Sequence, residues 1–314
     1  MIFIGVDGGG TKTSLIAYQN GEPIAKARSG ALNYNFIGVE AAVAHLLQGV
    51  DALGLPRASI AAVGIGDPSI DDAMPTDENS PSVQFTQSLT VALGCPVYLR
   101  SDAYMTLFGL TGGGKSAVLM LSGTGAMGIA ENSAGQIMVA GGWGRLTGDE
   151  GSGYYIALRG IRAALQASDG IAPSTALTDA ALRHFGADAP RELTSIFYRE
   201  PAPDIASFAL CVAECAEAKD PVAEGILMDA ARYLAAYTSR LLRWSGADIV
   251  GVWGSVLCQN RRVRAEYERL LRIDFPVLRV TEPPISPERA AAMYAERAFD
   301  DEGSEGNERN ERNE

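Results

Sequence analysis

Apolar and polar positions in the first hundred residues alternate between the two-residue repeat of a strand and the 3.6-residue repeat of a helix. The predicted elements are strands near 4–6, 14–18, 21–27, 60–65 and 97–99, helices near 38–53, 82–93 and 103–110, and loops at 30–35 and 71–81. Three of these strands end at polar or glycine residues: Asp7, Gly66 with Asp67, and Asp102. This alternation predicts an α/β fold with a mainly parallel sheet that binds ligands at the carboxyl ends of its strands.

The same alternation continues through the second part of the chain. The predicted elements are strands near 117–121 and 249–253, a further strand after the first of these, helices near 154–167, 255–271 and 287–298, and a largely helical region at 175–247. Residues 300–314 are polar and repeat Glu-Arg-Asn, a composition that predicts a disordered tail.

The opening stretch, Ile4 to Thr13, runs from an apolar strand into an aspartate, three glycines and a hydroxyl-rich turn. Glycine permits left-handed backbone and leaves space, so backbone amides can face an anion. The stretch is a candidate phosphate-binding loop, although a tight hairpin is also glycine-rich. A similar turn at Ser122 to Gly125 follows the strand near 117–121. Two such hairpins, one near the start of each half, favour a nucleotide held by two related domains.

The segment Gly109 to Ser116 matches the P-loop spacing of glycine, four residues, glycine, lysine and a hydroxyl residue. A P-loop requires a strand before it and a helix after it. Here the predicted order is the opposite, a helix before and a strand after. We therefore interpret the segment as a surface turn with Lys115 in solvent.

A second glycine-rich segment, Gly141 to Tyr154, carries one tryptophan and two acidic residues. An indole with nearby carboxylates is a common way to bind a sugar ring. The alternative is structural, with Asp149 and Ser152 as helix caps and Trp143 in the core. The strand end at Gly251 to Val256 could approach an adenine ring, or could be a plain strand-to-helix turn.

Composition limits the classes of partner. The 314-residue chain is 47% hydrophobic and 20% charged, as in globular proteins, and is long enough for one large or two medium domains. A formal net charge of −12 without a cluster of Lys and Arg argues against nucleic acid. No apolar run is long enough to span a bilayer and no signal sequence is evident, so we expect a cytoplasmic location without a membrane partner. The four cysteines lack the spacing of a metal site.

The ordered motifs at 7–13, 101–103, 121–125, 141–153 and 251–256 resemble the N-acetylglucosamine kinase branch of the BadF/BadG/BcrA/BcrD ATPase family, within the actin and hexokinase-like superfamily. The resemblance extends to about Ala298. It implies two ribonuclease-H-like (actin-like ATPase) domains with an interdomain cleft. The implied boundaries are 1–114 with 286–299 for the first domain and 115–285 for the second, and the implied assembly is a homodimer.

The resemblance also implies site residues, with Mg²⁺ and ATP as cofactors. Asp102, in the family's motif of hydroxyl residue, aspartate and alanine, would be the catalytic base toward the 6-hydroxyl of an amino sugar, most readily N-acetylglucosamine. The ATP phosphates would be bound by Gly9, Gly10, Thr11, Lys12, Thr124 and Gly125, the adenosine by Gly251, Gly254 and Ser255, and Mg²⁺ by Asp7 through water. Sugar contacts would come from Asn33, Gly66, Asp102, Gly142, Trp143 and Asp149.

Some departures from the family pattern leave the substrate open. Ala140 replaces a cysteine beside the sugar, Gly66-Asp67-Pro68 replaces a run of small residues, and Trp253 replaces a glycine in the adenosine turn. Glucosamine, N-acetylmuramate and galacto epimers therefore remain alternative substrates. Two other classes also remain: an iron–sulfur ATPase that activates 2-hydroxyacyl-CoA dehydratases, for which only Cys211 and Cys215 are close in sequence, and a non-catalytic sugar sensor.

Overall fold

The computed structural model describes residues 1–73, 77–201 and 203–311. The chain divides into two compact units, Met1–Lys115 with Pro283–Glu314, and Ser116–Glu282. We call these unit 1 and unit 2. The expected boundaries, after residue 114 and before residue 286, differ from this division by a few residues. Part of the expected loop, 74–76, and the last three residues of the chain lie outside the described residues.

The strands of the described residues are, in chain order, β1 (Ile2–Asp7), β2 (Thr13–Gln19), β3 (Glu22–Ser29), β4 (Ile60–Gly66), β5 (Val97–Arg100), β6 (Ala117–Ser122), β7 (Ala126–Glu131), β8 (Ile137–Gly141), β9 (Ile249–Trp253) and β10 (Arg279–Thr281). The helices are α1 (Tyr34–Ile37), α2 (Val39–Ala52), α3 (Pro81–Leu93), α4 (Asp102–Thr111), α5 (Gly153–Ser168), α6 (Leu177–Phe185), α7 (Glu192–Phe197), α8 (Ala209–Glu217), α9 (Pro221–Ser245), α10 (Ser255–Gln259), α11 (Arg261–Asp274) and α12 (Pro287–Glu311). Single 3₁₀ turns lie at Arg57–Ser59 and Ile205–Phe208.

Each unit contains a five-stranded sheet in the part of the chain that is described. The order is β3-β2-β1-β4-β5 in unit 1 and β10-β9-β6-β7-β8 in unit 2. In both sheets the three strands joined by hairpins pair antiparallel and the other pairs are parallel. The expectation of an α/β fold with two related domains is confirmed. The expectation of a mainly parallel sheet is wrong, because the hairpin connections are too short to return a strand in the same direction.

The sheet of unit 1 is covered on both faces. On one face Leu15, Ile65 and Phe85 belong to a buried cluster of sheet residues with α2 and α3. On the other face α12 packs against β1 and β4. A Cβ atom on Gly5 would lie 1.7 Å from the carbonyl oxygen of Glu288, and one on Gly64 would lie 2.0 Å from that of Ala291. These two glycines therefore let the helix backbone approach the sheet more closely than any side chain would allow.

Helix α12 continues beyond its expected end near Ala298. The tail that we expected to be disordered from residue 300 is helical as far as Glu311. Two contacts with the sheet lie beyond the expected end. The Phe299 ring packs edge-on against Phe3 with centroids 6.0 Å apart, and the Tyr98 hydroxyl donates a 3.0 Å hydrogen bond to Glu302. A polar composition did not reveal these contacts with the sheet.

Unit 2 is built around its sheet and the 25-residue helix α9. Asp220 caps this helix by accepting hydrogen bonds from the amides of Val222 and Ala223, and Gly246 ends it with left-handed backbone. Buried residues of α5, α9 and the sheet, among them Ile156 and Leu234, form one core.

The P-loop-like segment at 109–116 leads from a helix into a strand, in the order that the sequence predicted. Helix α4 ends at Thr111, three glycines with positive φ follow, and β6 begins at Ala117. Lys115 is exposed. The segment is therefore a helix-to-strand turn, which is the reverse of the strand-to-helix turn of a P-loop. Within the described residues, none of the helices combines the length and the hydropathy needed to cross a bilayer.

Candidate functional site

Three adjacent strands of unit 1 end side by side. Asp7 at the end of β1 pairs with Gly66 at the end of β4, and Gly66 pairs with Arg100 at the end of β5. Asp102 begins α4 two residues after Arg100, and a Cβ atom on Gly66 would lie 3.2 Å from the Cα of Asp102. The carboxyl edge of this sheet thus brings the predicted residues Asp7, Gly66 and Asp102 together.

Asp7 has an environment that favours a cation. Burial, followed by the charges of Glu288 and Asp102, raises the pKa of its carboxyl from 3.8 to about 7. A nearby positive charge would relieve this cost. Among the described residues no cluster of three or more His, Cys, Asp or Glu side chains is suited to a metal ion. Mg²⁺ is commonly held by one or two carboxylates, several waters and substrate phosphates, and the single buried carboxylate of Asp7 is compatible with that mode of binding.

Asp102 is the first residue of α4. Ser101 caps the helix, its hydroxyl accepting a 2.9 Å hydrogen bond from the amide of Tyr104, and Asp102 Oδ1 accepts one of 2.8 Å from the amide of Ala103. Burial raises the pKa of Asp102, and its bonds to backbone amides oppose that rise. A carboxylate so placed, with a pKa above the usual range for aspartate, can accept a proton from a hydroxyl group.

Two buried side chains near this edge carry unpartnered oxygen atoms. Asn33 is 9% exposed, and Asp67 is fully buried. Within the described residues, Asn33 Oδ1 and Asp67 Oδ2 have no hydrogen-bond partner, whereas Asp67 Oδ1 accepts a 2.7 Å bond from the amide of Ser69. Asn33 was predicted to bind sugar. Asp67 was noted in the sequence as part of a strand end and of a departure from the family pattern, and was assigned no role.

The opening loop is an exposed turn between β1 and β2. Gly10, Thr11 and Lys12 are exposed, and Gly9 is half-buried. The left-handed backbone that glycine permits is not used here, since Gly8, Gly9 and Gly10 do not have positive φ. At Gly9 the requirement is space, because a Cβ atom would lie 2.7 Å from the carbonyl oxygen of Lys12.

The second glycine turn, in unit 2, lies beside the predicted sugar loop. Thr124 and Gly125 are exposed, and a Cβ atom on Gly125 would lie 3.0 Å from Asp149 Oδ2. A depression of about 320 Å³ is lined here by Thr124, Gly125, Gly142, Asp149, Trp253 and Gly254, among others. The structure therefore joins residues that the sequence assigned separately to phosphate, sugar and adenosine.

The loop from β8 to α5 holds Asp149 in left-handed backbone, with φ of 59°. Burial raises the pKa of Asp149, and hydrogen bonds from the backbone amides of Ala126 and Gly144 oppose the rise. Trp143 is 75% exposed, so its alternative assignment to the core is wrong. Ser152 does cap α5, since its hydroxyl accepts a 3.0 Å bond from the amide of Tyr155.

A cavity of about 490 Å³ opens next to the second glycine turn. Its lining includes Gly123, Thr124 and Ser255 from the predicted motifs. Gly254, at the turn into α10, has φ of 93°, and a Cβ atom there would lie 2.4 Å from the carbonyl oxygen of Ser122. Only glycine fits at this position.

Gly251, in contrast, is buried in the middle of β9, where it pairs with Leu119 and Thr281. It does not line the cavity.

Several residues of this cavity were not identified from the sequence. They are Asp204, Ala206, Ser207 and Leu210 near the start of α8, and Asn260 and Arg261 at the start of α11. These segments carry no glycine-rich or charged motif. Only tertiary packing brings them to the second glycine turn.

Comparison with known proteins gives a family and a fold. A model of the BadF/BadG/BcrA/BcrD ATPase family matches residues 4–291. The N-acetyl-D-glucosamine kinase of Dictyostelium discoideum is 29% identical over 264 residues, which are 79% of this chain and 81% of that protein. The N-acetylmuramic acid/N-acetylglucosamine kinase of Clostridium acetobutylicum is 27% identical over 288 residues, covering 88% and 92% of the two chains.

A solved structure from Chromobacterium violaceum, provisionally assigned as an N-acetylglucosamine kinase, superimposes with a TM-score of 0.71. Its sequence is 26% identical, and the alignment covers 93% of this chain and 98% of that one. The match over nearly the full length of both chains supports the two-domain sugar kinase fold.

Proposed function

The chain belongs to the BadF/BadG/BcrA/BcrD ATPase family and is an ATP-dependent sugar kinase, and we propose that its acceptor is an amino sugar, with N-acetylglucosamine as the first candidate. The family match and the named kinases among the relatives support the assignment as an ATP-dependent sugar kinase. The named substrates of the Dictyostelium and Clostridium relatives support the amino sugar. Glucosamine, N-acetylmuramate and galacto epimers are the alternatives within this class.

We assign the role of general base to Asp102. Its position at the carboxyl edge of a parallel strand pair, at the first residue of α4, is the observation on which the assignment rests. The carboxylate would accept the proton of the attacking 6-hydroxyl as that oxygen bonds to the γ-phosphorus of ATP and the bond to ADP breaks. Burial keeps its pKa raised, which makes it a better proton acceptor than an exposed aspartate.

For the nucleotide, the proposal assigns the adenosine to the 490 Å³ cavity of unit 2, which Ser255 lines, with Gly254 at the adjoining turn where it lines the 320 Å³ depression. Thr124 and Gly125 in unit 2, and Gly9, Gly10, Thr11 and Lys12 in unit 1, are the proposed phosphate contacts. The exposure of most of these residues in both turns supports this assignment. Asp7 would hold Mg²⁺ through water, and the ion would neutralise charge on the transferring phosphoryl group.

For the sugar, the proposed contacts in unit 1 are Asn33 and Gly66, and those in unit 2 are Gly142, Trp143 and Asp149. Asn33 has a buried acceptor atom without a partner, which a hydroxyl or amide of a ligand could satisfy. The exposed indole of Trp143 is free to pack on a sugar face.

The function is tested by assaying ATP-dependent phosphorylation of a panel of N-acetylated and free amino sugars, including N-acetylmuramate and the galacto epimers. We expect sugar-dependent ADP release, highest with N-acetylglucosamine, and a product phosphorylated on the 6-oxygen by NMR. Sugar binding without ADP release would contradict the kinase and indicate a sensor. Iron in anaerobically purified protein would instead indicate the dehydratase activator.

We also propose a cytoplasmic homodimer, which is the assembly implied by the family resemblance. Light scattering at several protein concentrations would test it. A mass of one chain at all concentrations would contradict it.

A further inference from the structure

An ion pair with a buried carboxylate, between Asp72 and the partly exposed Arg100, lies directly beside the start of α4. The carboxylate of Asp72, in the loop after β4, is 3% exposed, and each of its oxygens has a partner. Oδ1 accepts a 2.6 Å hydrogen bond from Arg100 Nε, and Oδ2 accepts one of 3.1 Å from the backbone amide of Ser101. In the sequence this loop is only a polar segment, and no pattern there singles out Asp72.

The Ser101 amide lies at the junction between β5 and α4. Ser101 separates the last residue of β5 from Asp102, the first residue of α4. The first amides of a helix have no partner within the helix and need one from outside. Asp72 supplies a partner for the Ser101 amide and so ties the loop after β4 to the junction between β5 and α4.

The start of α4 lies close to the end of β4. A Cβ atom on Gly66 would lie 3.2 Å from the Cα of Asp102, and Asp102 Oδ1 is held by the amide of Ala103. A shift of the Ser101 backbone would therefore displace the carboxylate directly. Misplacement of a reacting group by about 1 Å can cost roughly 10²-fold in rate.

Arg100 anchors the carboxylate of Asp72 from the other side. Its guanidinium lies 3.7 Å from the centre of the Tyr104 ring, and one of its nitrogens is 3.5 Å from the hydroxyl of Tyr294 on α12. The pair is thus packed against both α4 and α12. The negative charge of Asp72 also contributes, after burial, to the raised pKa of Asp102.

We propose that Asp72 is a positioning residue that holds the start of α4 and thereby places the carboxylate of Asp102 for proton transfer. The inference rests on the proposed function, in which Asp102 is the base. It does not depend on which amino sugar is the substrate.

The test is a double-mutant cycle between Asp72 and Asp102, with kcat and both KM values measured well below the melting temperature of each variant. Asp72→Ala in the otherwise unchanged protein is expected to lower kcat by roughly 10–100-fold and to leave the KM for ATP unchanged. In the Asp102→Asn background the same change is expected to alter the residual kcat by less than about twofold, because Asp72 acts through Asp102.

A residue with only a structural role would lower kcat by the same factor in both backgrounds, and that result would overturn the inference. So would an unchanged kcat in Asp72→Ala. If the alanine variant does not fold, Asp72→Leu, which is similar in size to aspartate and has no acceptor atom for the Ser101 amide, is used in the same cycle and interpreted in the same way.

Two controls separate this inference from the proposed function. Asp51→Ala removes the carboxylate of an exposed ion pair with Arg57 in the same unit and is expected to leave kcat unchanged. Near-normal turnover in Asp102→Asn alone would overturn the base assignment and this inference together. A large loss in Asp102→Asn with additive effects of Asp72→Ala would overturn this inference alone.

Discussion

At the scale of single residues, Asp102 carries the most specific prediction. Asp102→Asn keeps the size of the side chain and removes its ability to accept a proton. We expect kcat to fall by about 10²–10⁴-fold while the affinity for ATP, measured by calorimetry, stays the same. Asp51→Asn, at an exposed ion pair of the same unit, serves as the matched control. Turnover near that of the unchanged protein would exclude Asp102 as the base.

The raised pKa of Asp102 predicts the pH dependence of the reaction. Burial is its main cause and the charge of Asp72 adds to it, while the charge of Asp102 in turn raises the pKa values of Asp7 and Asp67. Only the ionised form accepts a proton, so activity is lost as the pH falls through the raised pKa. A plot of kcat/KM against pH should show an acid limb with a midpoint above the ordinary aspartate value of about 4. A midpoint at or below that value would contradict the prediction.

Asp7 predicts a pH dependence of stability. Its pKa rises from 3.8 to about 7, so the folded protein binds this proton more tightly than the unfolded chain. The contribution of the group is therefore most favourable below pH 4 and becomes unfavourable as the pH rises through 7. Asp7→Asn should raise the free energy of unfolding at pH 8, by up to about 4 kcal/mol, and change it little at pH 4.

Urea unfolding with EDTA present measures this difference without competition from bound metal. If Asp7→Asn were less stable than the unchanged protein at pH 8, the ionised carboxylate of Asp7 would not be destabilising, and the prediction would be contradicted.

At the scale of elements, the packing of α12 on the sheet of unit 1 predicts the effect of adding a methyl group. Gly64→Ala would place a Cβ atom 2.0 Å from the carbonyl oxygen of Ala291, so the helix must move. We expect a loss of about 3 kcal/mol or more, since relief requires a backbone shift. Gly303→Ala in α12, where a Cβ atom meets nothing within 4 Å, should instead stabilise by about 0.5–1 kcal/mol. Thermal unfolding of both variants would check the contrast.

At the scale of the whole molecule, unit 1 is built from two separate segments of the chain and unit 2 from one. Unit 2 is one segment with its own core, and unit 1 needs the C-terminal segment to cover one face of its sheet. We expect a fragment of 116–282 to unfold cooperatively in urea. A fragment of 1–115 should aggregate, because Phe3, Tyr18 and Ala62 lose the alanines of α12 that cover them.

The control joins 1–115 to 283–311 through a flexible glycine and serine linker, and it should restore a soluble, folded unit 1. Cooperative unfolding of 1–115 alone would contradict the expectation.

The sequence by itself determined the elements and the residues with strong local signals. Apolar periodicity predicted β1, β4, β5 and α4, and the polar residues after those strands indicated Asp7, Gly66 and Asp102. The P-loop spacing at 109–116 was also correctly rejected from local context alone. These features depend on neighbours in the chain, which a sequence displays directly.

Tertiary structure alone decided the features that depend on segments distant in sequence. It extended α12 through contacts with Phe3 and Tyr98, placed Asp72 on the amide of Ser101, and brought the residues near α8 to the 490 Å³ cavity. In each case the stabilising partner lies tens or hundreds of residues away. No local pattern encodes such a partner, because its position is fixed by how the sheet and helices pack.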